Sequence, residues 1–338
     1  MSQKNIAGIW SSNLWKTAIC FFVSVLFWGG CTEKPRVYRV GVLDGFPPFA
    51  AVVDGFKSEM AELGYKEGEN IFYDEQEVSL DPGDHHRVIK KFVADKVDLI
   101  FVFPTGATVT AKKAAAGSNI PVLFAMAGIE GNNLVESVGH PGGNITGVRY
   151  PGPDLTLKRL EFLQELLPGF KRLYVTYNPD YPANKIPIMT LRPLVPSLGL
   201  TLVEVPVVSV EDIRADLQKR AGAQDIGLDA IMIMPDDISQ SPPGWRLIKE
   251  FADRFKVPVS GASGVTVHNG AIFNYGPDIE EAGRLAAPLA DKIFKGTPAG
   301  SIPVVTPEAY LAFNYKLALQ LGLTVPDSLL RMAKEIIR

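Results

Sequence analysis

The chain has 338 residues, 46% hydrophobic and 21% charged, with a formal net charge of −3, an ordinary globular balance that allows two domains of about 150 residues each. No basic tract occurs, and nucleic acid needs a concentrated Lys/Arg footprint, so it is not expected as a partner. Aromatic residues make up 9% of the chain, which argues against long disorder.

The first thirty residues are a different material: they hold Lys4 and Lys16 and no acid, then the apolar run "TAICFFVSVLFW" at 17–28. A run of that length fits a signal-peptide core and falls short of the ~20 residues a spanning helix needs. Gly29 and Gly30 are the small residues a signal peptidase requires, and Cys31 follows them directly. The stretch resembles the lipobox of bacterial lipoproteins, with Trp28 where leucine is usual. An ordinary secretory signal with an incidental cysteine is the alternative. Lipidation at Cys31 is favoured because the other cysteine, Cys20, lies in the segment to be removed. Cleavage after residue 30 moves the net charge from −3 to −5, because both lysines leave. Residues 32–36, "TEKPR", then form a polar tether. A mature chain with one cysteine holds no internal disulfide and depends on its core, which roughly 300 residues can supply.

From residue 37 the pattern is regular. "VYRVGVL" (37–43) reads as a strand ending in the loop "DGFPPF". The next segment places Val53, Phe56, Met60 and Leu63 at helical spacing, with Gly64 as a stop. "NIFYDEQEV" is a second strand and "DHHRVIKKFVADKV" an amphipathic helix. "DLIFVF" (98–103) is a continuous apolar strand of the kind buried on both faces; "ATVTAKKAAAG" is a helix and "IPVLFAM" (120–126) another buried strand. Strands alternating with helices imply a parallel sheet covered on both sides.

The glycine-rich "SVGHPGGNITGV" (137–148) does not directly follow a strand and open a helix, as a dinucleotide fingerprint must, and lacks the lysine of a phosphate loop. It is expected to be the turn and strand by which the chain crosses between two lobes, Gly142, Gly143 and Asn144 supplying the turn.

The same grammar then restarts: helix 155–168, strand 172–178, a helix ending in "PLVPSLG", strand "LTLVEVPV", helix "EDIRADLQKRAG", strand 228–235, helix "GWRLIKEFADRF" and strand 257–262. Beyond these, "GAIFNYGPDIEEAGRLAAPLADKIFKG" holds a strand and a long helix, and "AYLAFNYKLALQLGL" and "PDSLLRMAKEIIR" are expected as closing helices. The fold class is α/β, two lobes each with a parallel sheet and a ligand cleft between them. Lobe 1 is expected to span 37–143 plus about 274–306, and lobe 2 147–270 plus about 308–338.

Seven ordered blocks carry a family resemblance: "ELGYKEGENI" (62–71), "KVDLIFVFPTGATVTAKKA" (96–114), "VGHPGGNITGV" (138–148), "LKRLEFLQELLP" (157–168), "YNP" (177–179), "GAIFNYGPDIEEAGRLAAPLADKIFKGTPAGSIPV" (270–304) and "NYKLALQLGLTVPDSLL" (314–330). Together they resemble the substrate-binding proteins of ABC transporters, in the family that includes tryptophan-binding lipoproteins. The resemblance implies a two-lobed periplasmic-binding-protein-like receptor, a monomer held at the membrane by its lipid. It would close on a small solute, an amino acid or related small carboxylate, and deliver it to an inner-membrane permease.

Ligands of open parallel sheets sit beyond the carboxyl ends of the strands, against helix N-termini. Thr105, Gly106 and Ala107 lie there and could hold a carboxylate through backbone N–H groups and the Thr105 hydroxyl. The family usually has Gly-Thr-Pro at this point, whereas here Pro104 precedes the threonine and Gly106 follows it. Asp237 matches a family aspartate suited to an ammonium, with Asp236 beside it; both could instead be capping acids. Phe46 and Phe49 are candidate walls for a flat ligand or else lobe packing, Tyr177 and Asn178 end a strand, and Tyr275 lies near a crossover. Where the family commonly has Asp-Pro-Val, this chain reads "MAGIEGNN", so Gly128 and Ile129 are expected to change ligand preference, away from tight tryptophan binding.

No enzyme signature is present: there is no G-x-S-x-G, no H-E-x-x-H and no thiol left once Cys31 is lipidated. His85 and His86 stand near Asp81 and Asp84, but adjacent side chains on a helix point about 100° apart and rarely share one ion, so no metal and no cofactor are expected. A ligand-binding sensor for a membrane signalling partner is the alternative to a transport receptor, with a periplasmic enzyme behind both.

Overall fold

The computed structural model describes residues 36–78 and 81–338. The expected signal peptide, the lipidation site Cys31 and most of the tether lie outside the described residues.

The first sheet begins with β1 (Tyr38–Asp44) and, after α1 (Ala51–Glu62), β2 (Ile71–Glu77). It continues through α2 (Pro82–Ala94), β3 (Leu99–Phe103), α3 (Thr105–Ala114), β4 (Val122–Ala127) and β5 (Ile145–Arg149). The strand order is β2-β1-β3-β4-β5, parallel throughout. Every residue of β3 and β4 is buried, as a parallel strand covered on both faces requires. One face carries α1 through Val52, Val53, Phe56 and Met60; the other carries Val88, Ile89 and Phe92 of α2. The start of α2 is set locally, since the Asp81 carboxylate accepts from the Gly83 N–H at 2.7 Å and Pro82 opens the helix.

The second sheet follows α4 (Gly152–Leu166) with β6 (Arg172–Tyr177), α5 (Lys185–Ser197), β7 (Thr201–Pro206), α6 (Val210–Ala221), β8 (Ala230–Ile233), α7 (Pro242–Phe255), β9 (Val259–Ser260), α8 (Gly264–His268) and β10 (Phe273–Pro277). Then α9 (Ile279–Phe294) returns to the first sheet, where it packs among α1 and β4 residues. The chain ends with β11 (Ala309–Asn314), α10 (Tyr315–Gln320), α11 (Asp327–Met332) and β12 (Ala333–Ile337), giving the order β12-β11-β10-β9-β8-β6-β7. The β10/β11 pair is antiparallel and departs from the all-parallel expectation.

Three expectations are corrected. The stretch 137–148 is not the crossing, because Ile145–Arg149 pairs with β4 as the edge of the first sheet and the chain leaves only at Tyr150. Its Gly142 has φ +73, and the Gly142 N–H donates to the Gly300 carbonyl at 3.0 Å, an approach that a side chain on Gly300 would obstruct. Likewise Phe273–Pro277 belongs to the second sheet, so the return to lobe 1 starts at Ile279 and not near 274. Finally, 309–314 and 333–337 are strands where helices were expected. Leu311 and Phe313 alternate into the core, a period of two, and β12 is held by pairing with β11.

Candidate functional site

The ends of β1, β3, β4 and β5 in one sheet and of β6, β8 and β9 in the other converge on one narrow cavity. This is the place where open α/β sheets leave backbone N–H groups and loops free for a ligand.

From the first sheet, the turn after β1 brings Phe46 and Phe49, whose rings meet edge to face at 5.2 Å. The turn is fixed by Asp44, whose carboxylate accepts from the Phe46 N–H at 2.9 Å. After β3 come Pro104 and Thr105. The Thr105 hydroxyl oxygen accepts from the Gly128 N–H at 2.9 Å, which leaves its O–H proton to donate elsewhere. The first bond inside α3 runs from the Thr108 N–H to the Pro104 carbonyl, so the earlier N–H groups have no partner within the helix. Met126 also lines the cavity, at φ +52 beside a register shift between β4 and β5. Such a shift re-aims side chains at the rim of a sheet.

From the second sheet come Tyr181 and Ala183 after β6, Pro235, Asp236, Asp237 and Gln240 after β8, and Ala262 after β9. The two acids have different environments. Asp236 is 2% exposed and accepts from four donors, the N–H groups of Ile238, Ser239 and Asn178 and the Asn184 amide, at 2.7–3.2 Å. Burial pushes its carboxyl up to about 6, the Ser239 and Asn178 N–H groups and the Asn184 amide act against that rise, and the neighbouring Asp237 adds to it. Asp237 accepts from the Asn178 side-chain amide at 2.9 Å, which leaves acceptor capacity facing the cavity. Tyr181 closes the cavity against the first sheet, 3.2 Å from where a Cβ on Gly106 would stand. Its burial, together with the Asp237 charge, raises its phenol above the ordinary value, and the Gly106 N–H opposes that rise.

Of the residues singled out from sequence, Phe46, Phe49, Thr105, Asp236 and Asp237 line the cavity. Gly106 and Gly128 support it through Tyr181 and Thr105, and Asn178 holds both acids. Ala107 and Ile129 pack into the core of the first lobe. The Tyr177 hydroxyl is engaged with Glu204 and Arg192, and the Tyr275 ring packs edge to face on Phe162 at 5.4 Å. The stretch departing from the family pattern therefore meets the cavity through Met126 and, by way of Thr105, through the Gly128 backbone, and not through the Ile129 side chain.

Sequence reasoning missed Tyr150, Tyr181 and Gln240, which follow strand ends, and Arg159. Arg159 sits on the stripe of Leu155, Leu160 and Leu163 in α4 and is fully buried. It donates to the Tyr150 hydroxyl (2.9 Å) and to the carbonyls of Ala262 (2.8 Å) and Tyr275 (3.0 Å). A cation on an apolar helical stripe was the signal that could have found it. Among the described residues, no group of three or more His, Cys, Asp or Glu side chains could hold a metal ion, and no helix is long and apolar enough to cross a membrane.

Comparison with known proteins agrees with this geometry. Residues 42–337 match the family described as ABC transporter substrate binding protein. A tyrosine-binding protein of Clostridioides difficile is 28% identical over 281 residues, covering 81% of this chain and 78% of that protein. A crystal structure of a conserved domain protein from Vibrio cholerae has a TM-score of 0.79 at 26% identity, over 90% of this chain and all of that one. An ABC domain from Streptococcus pneumoniae in complex with L-Trp has the same fold, with a TM-score of 0.80 at 24% identity over 89% of this chain and all of that one. The chain belongs to the ABC transporter substrate-binding proteins, extracytoplasmic receptors that capture a small solute for an ABC importer.

Proposed function

We propose that the solute is an amino acid with a flat or apolar side chain, held between the two lobes with its charged groups at opposite sheets. The observation that carries this reading is the composition of the cavity. Phe46, Phe49, Tyr150 and Tyr181 form apolar walls, Asp237 offers a carboxylate from one sheet, and Thr105 opens a helix from the other. The ammonium pairs with Asp237, and the carboxylate takes the Thr105 hydroxyl and N–H groups at the start of α3 that have no partner within the helix, the Gly106 N–H being shared with Tyr181. The rings take the side chain. Residues 1–30 act as a lipoprotein signal and Cys31 carries the lipid, which keeps a monomeric receptor beside its permease. The receptor returns its solute unchanged, a reading supported by its membership of a family of substrate-binding proteins.

The test is a thermal-shift and calorimetric screen of the chain lacking residues 1–31 against the twenty amino acids and small carboxylates. A true ligand at 100 times its Kd adds about 2.7 kcal/mol to stability and raises the melting temperature clearly. Silence across the amino acids, with a response to a sugar or to a dicarboxylate, would overturn the reading. The relative that binds tyrosine makes the aromatic amino acids the first to try.

A further inference from the structure

A second groove, with about 650 Å³ of empty space including its open mouth, adjoins the inner cavity and shares Phe46 and Gln240 with it. Its walls come from both lobes: Phe46 and Pro48 from the turn after β1, Trp245 from the first turn of α7, and Ser263 and Asn269 around α8. No ionisable side chain lines it. The Trp245 indole is fixed in place, because its N–H donates to the Asn269 carbonyl at 3.2 Å and its ring packs on the core of the second lobe. At the junction of the two spaces the Gln240 side-chain oxygen is buried without a hydrogen-bond partner. A buried acceptor left unpaired is costly, and one that lines a binding cavity is most simply satisfied by the ligand.

We propose that this groove is an outer subsite and that the solute is a dipeptide, its first residue in the inner cavity and its second against Trp245. This rests on the amino-acid reading of the inner cavity and extends it. The amino terminus stays with Asp237, and the peptide carbonyl takes the place of a carboxylate at Thr105. The peptide N–H, which a free amino acid lacks, donates to the Gln240 oxygen. The second side chain lies on the Trp245 and Pro48 surfaces. Its carboxylate reaches the open mouth, where it stays hydrated, which accords with the absence of a cation in the groove.

The experiment is calorimetric titration of the folded receptor with L-tyrosine, L-phenylalanine and L-tryptophan, and with each of them extended by a C-terminal leucine. The extended form of whichever residue binds should bind at least about tenfold more tightly than the free amino acid, the worth of one buried hydrogen bond regained. Trp245→Ala should abolish that advantage while leaving the free amino acid unchanged. Pro48→Gly, on the opposite wall and away from the second lobe's core, should do the same, and a melting curve for each variant confirms folding. Free amino acids that bind as tightly as their leucyl extensions overturn the dipeptide proposal and leave the amino-acid reading standing. Equal losses for both ligands in both variants also overturn it. Failure of every amino acid and every extension overturns the reading beneath it.

Discussion

The guanidinium of Arg159 donates to the hydroxyl of Tyr150 at 2.9 Å, and Tyr150 is the first residue after the last strand of the first sheet. The same nitrogen donates to the carbonyl of Ala262 in the other lobe, and the Tyr150 hydroxyl lies 3.3 Å from that same carbonyl. Through its Nε, Arg159 also holds Tyr275, whose side chain packs against the cores of both lobes. One buried cation thus ties together the segments where the chain passes between lobes, using carbonyls and a hydroxyl and no carboxylate.

Removing this cation should be expensive. Arg159→Leu takes the Arg159 donor from the Tyr275 carbonyl and the Tyr150 hydroxyl and leaves the Ala262 carbonyl only the longer bond from Tyr150, in a site closed to water. We expect a loss of about 3–5 kcal/mol in urea unfolding, from several buried groups at 1–3 kcal/mol each. Arg159→Lys keeps the charge but not the planar fork and should recover only part of the loss. A leucine variant as stable as the parent would mean that the contacts are incidental.

Asp236 and Asp237 should separate cleanly in mutants. Asp236→Asn turns an amide NH2 toward N–H donors that now face a carboxylate oxygen, so stability should fall by about 2–4 kcal/mol. Asp237→Asn should leave the melting temperature within a few degrees of the parent. It should weaken an ammonium-bearing solute by about 30-fold or more, as for a lost partner in a desolvated charge pair. Affinity measured by calorimetry beside a melting curve distinguishes the two outcomes.

The pH dependence follows from the same pair. The Asp236 carboxyl is raised in the folded protein to about 6 from an ordinary 3.8. Between those values the folded state binds the extra proton, so this contribution to stability is fully present below about 4 and lost as pH rises through about 6. Other carboxylates titrate with the opposite sign, among them Glu204, held down by Arg192. The contribution is therefore read as the difference between the parent and Asp236→Asn from pH 4 to 7. A bound ammonium favours the ionised acid, so solute affinity should fall as the solution is acidified through about 6, with proton release on binding near that pH.

Gly106 tests closure separately from stability. A methyl at this position would stand 3.2 Å from the Tyr181 ring, tight enough to push the lobes apart, while alanine in a helix is intrinsically better than glycine by up to ~1 kcal/mol. Gly106→Ala should therefore keep or slightly raise thermal stability without ligand and lower solute affinity several-fold. Small-angle scattering should find a larger radius in the presence of solute than for the parent. Gly106→Ala combined with Tyr181→Ser should regain the compact state, since the clash partner is gone.

Much of this molecule is legible in its sequence. Continuous apolar runs as short as Leu99–Phe103 read as strands buried on both faces, which this one is, and helices alternating with them point to a parallel sheet. Loops after those strands are where a site is expected, and that rule together with the family resemblance points to Phe46, Phe49, Thr105, Asp236 and Asp237, all of which line the cavity. Periodicity reports how deeply a segment is buried but not which neighbour buries it. For that reason Ile145–Arg149 reads from sequence as the crossing although it is an edge strand of the first sheet, and the segment from about 274 reads as part of the first lobe although Phe273–Pro277 pairs in the second. Ala333–Ile337 is a strand because it pairs with the edge of β11. The tertiary structure alone decided that Asp236 is consumed by four backbone and amide donors while Asp237 accepts only from the Asn178 amide at the cavity wall, and that Arg159 belongs to the crossing and not to the surface. Those roles depend on hydrogen-bond partners brought together from distant parts of the chain, which no local pattern of residues encodes.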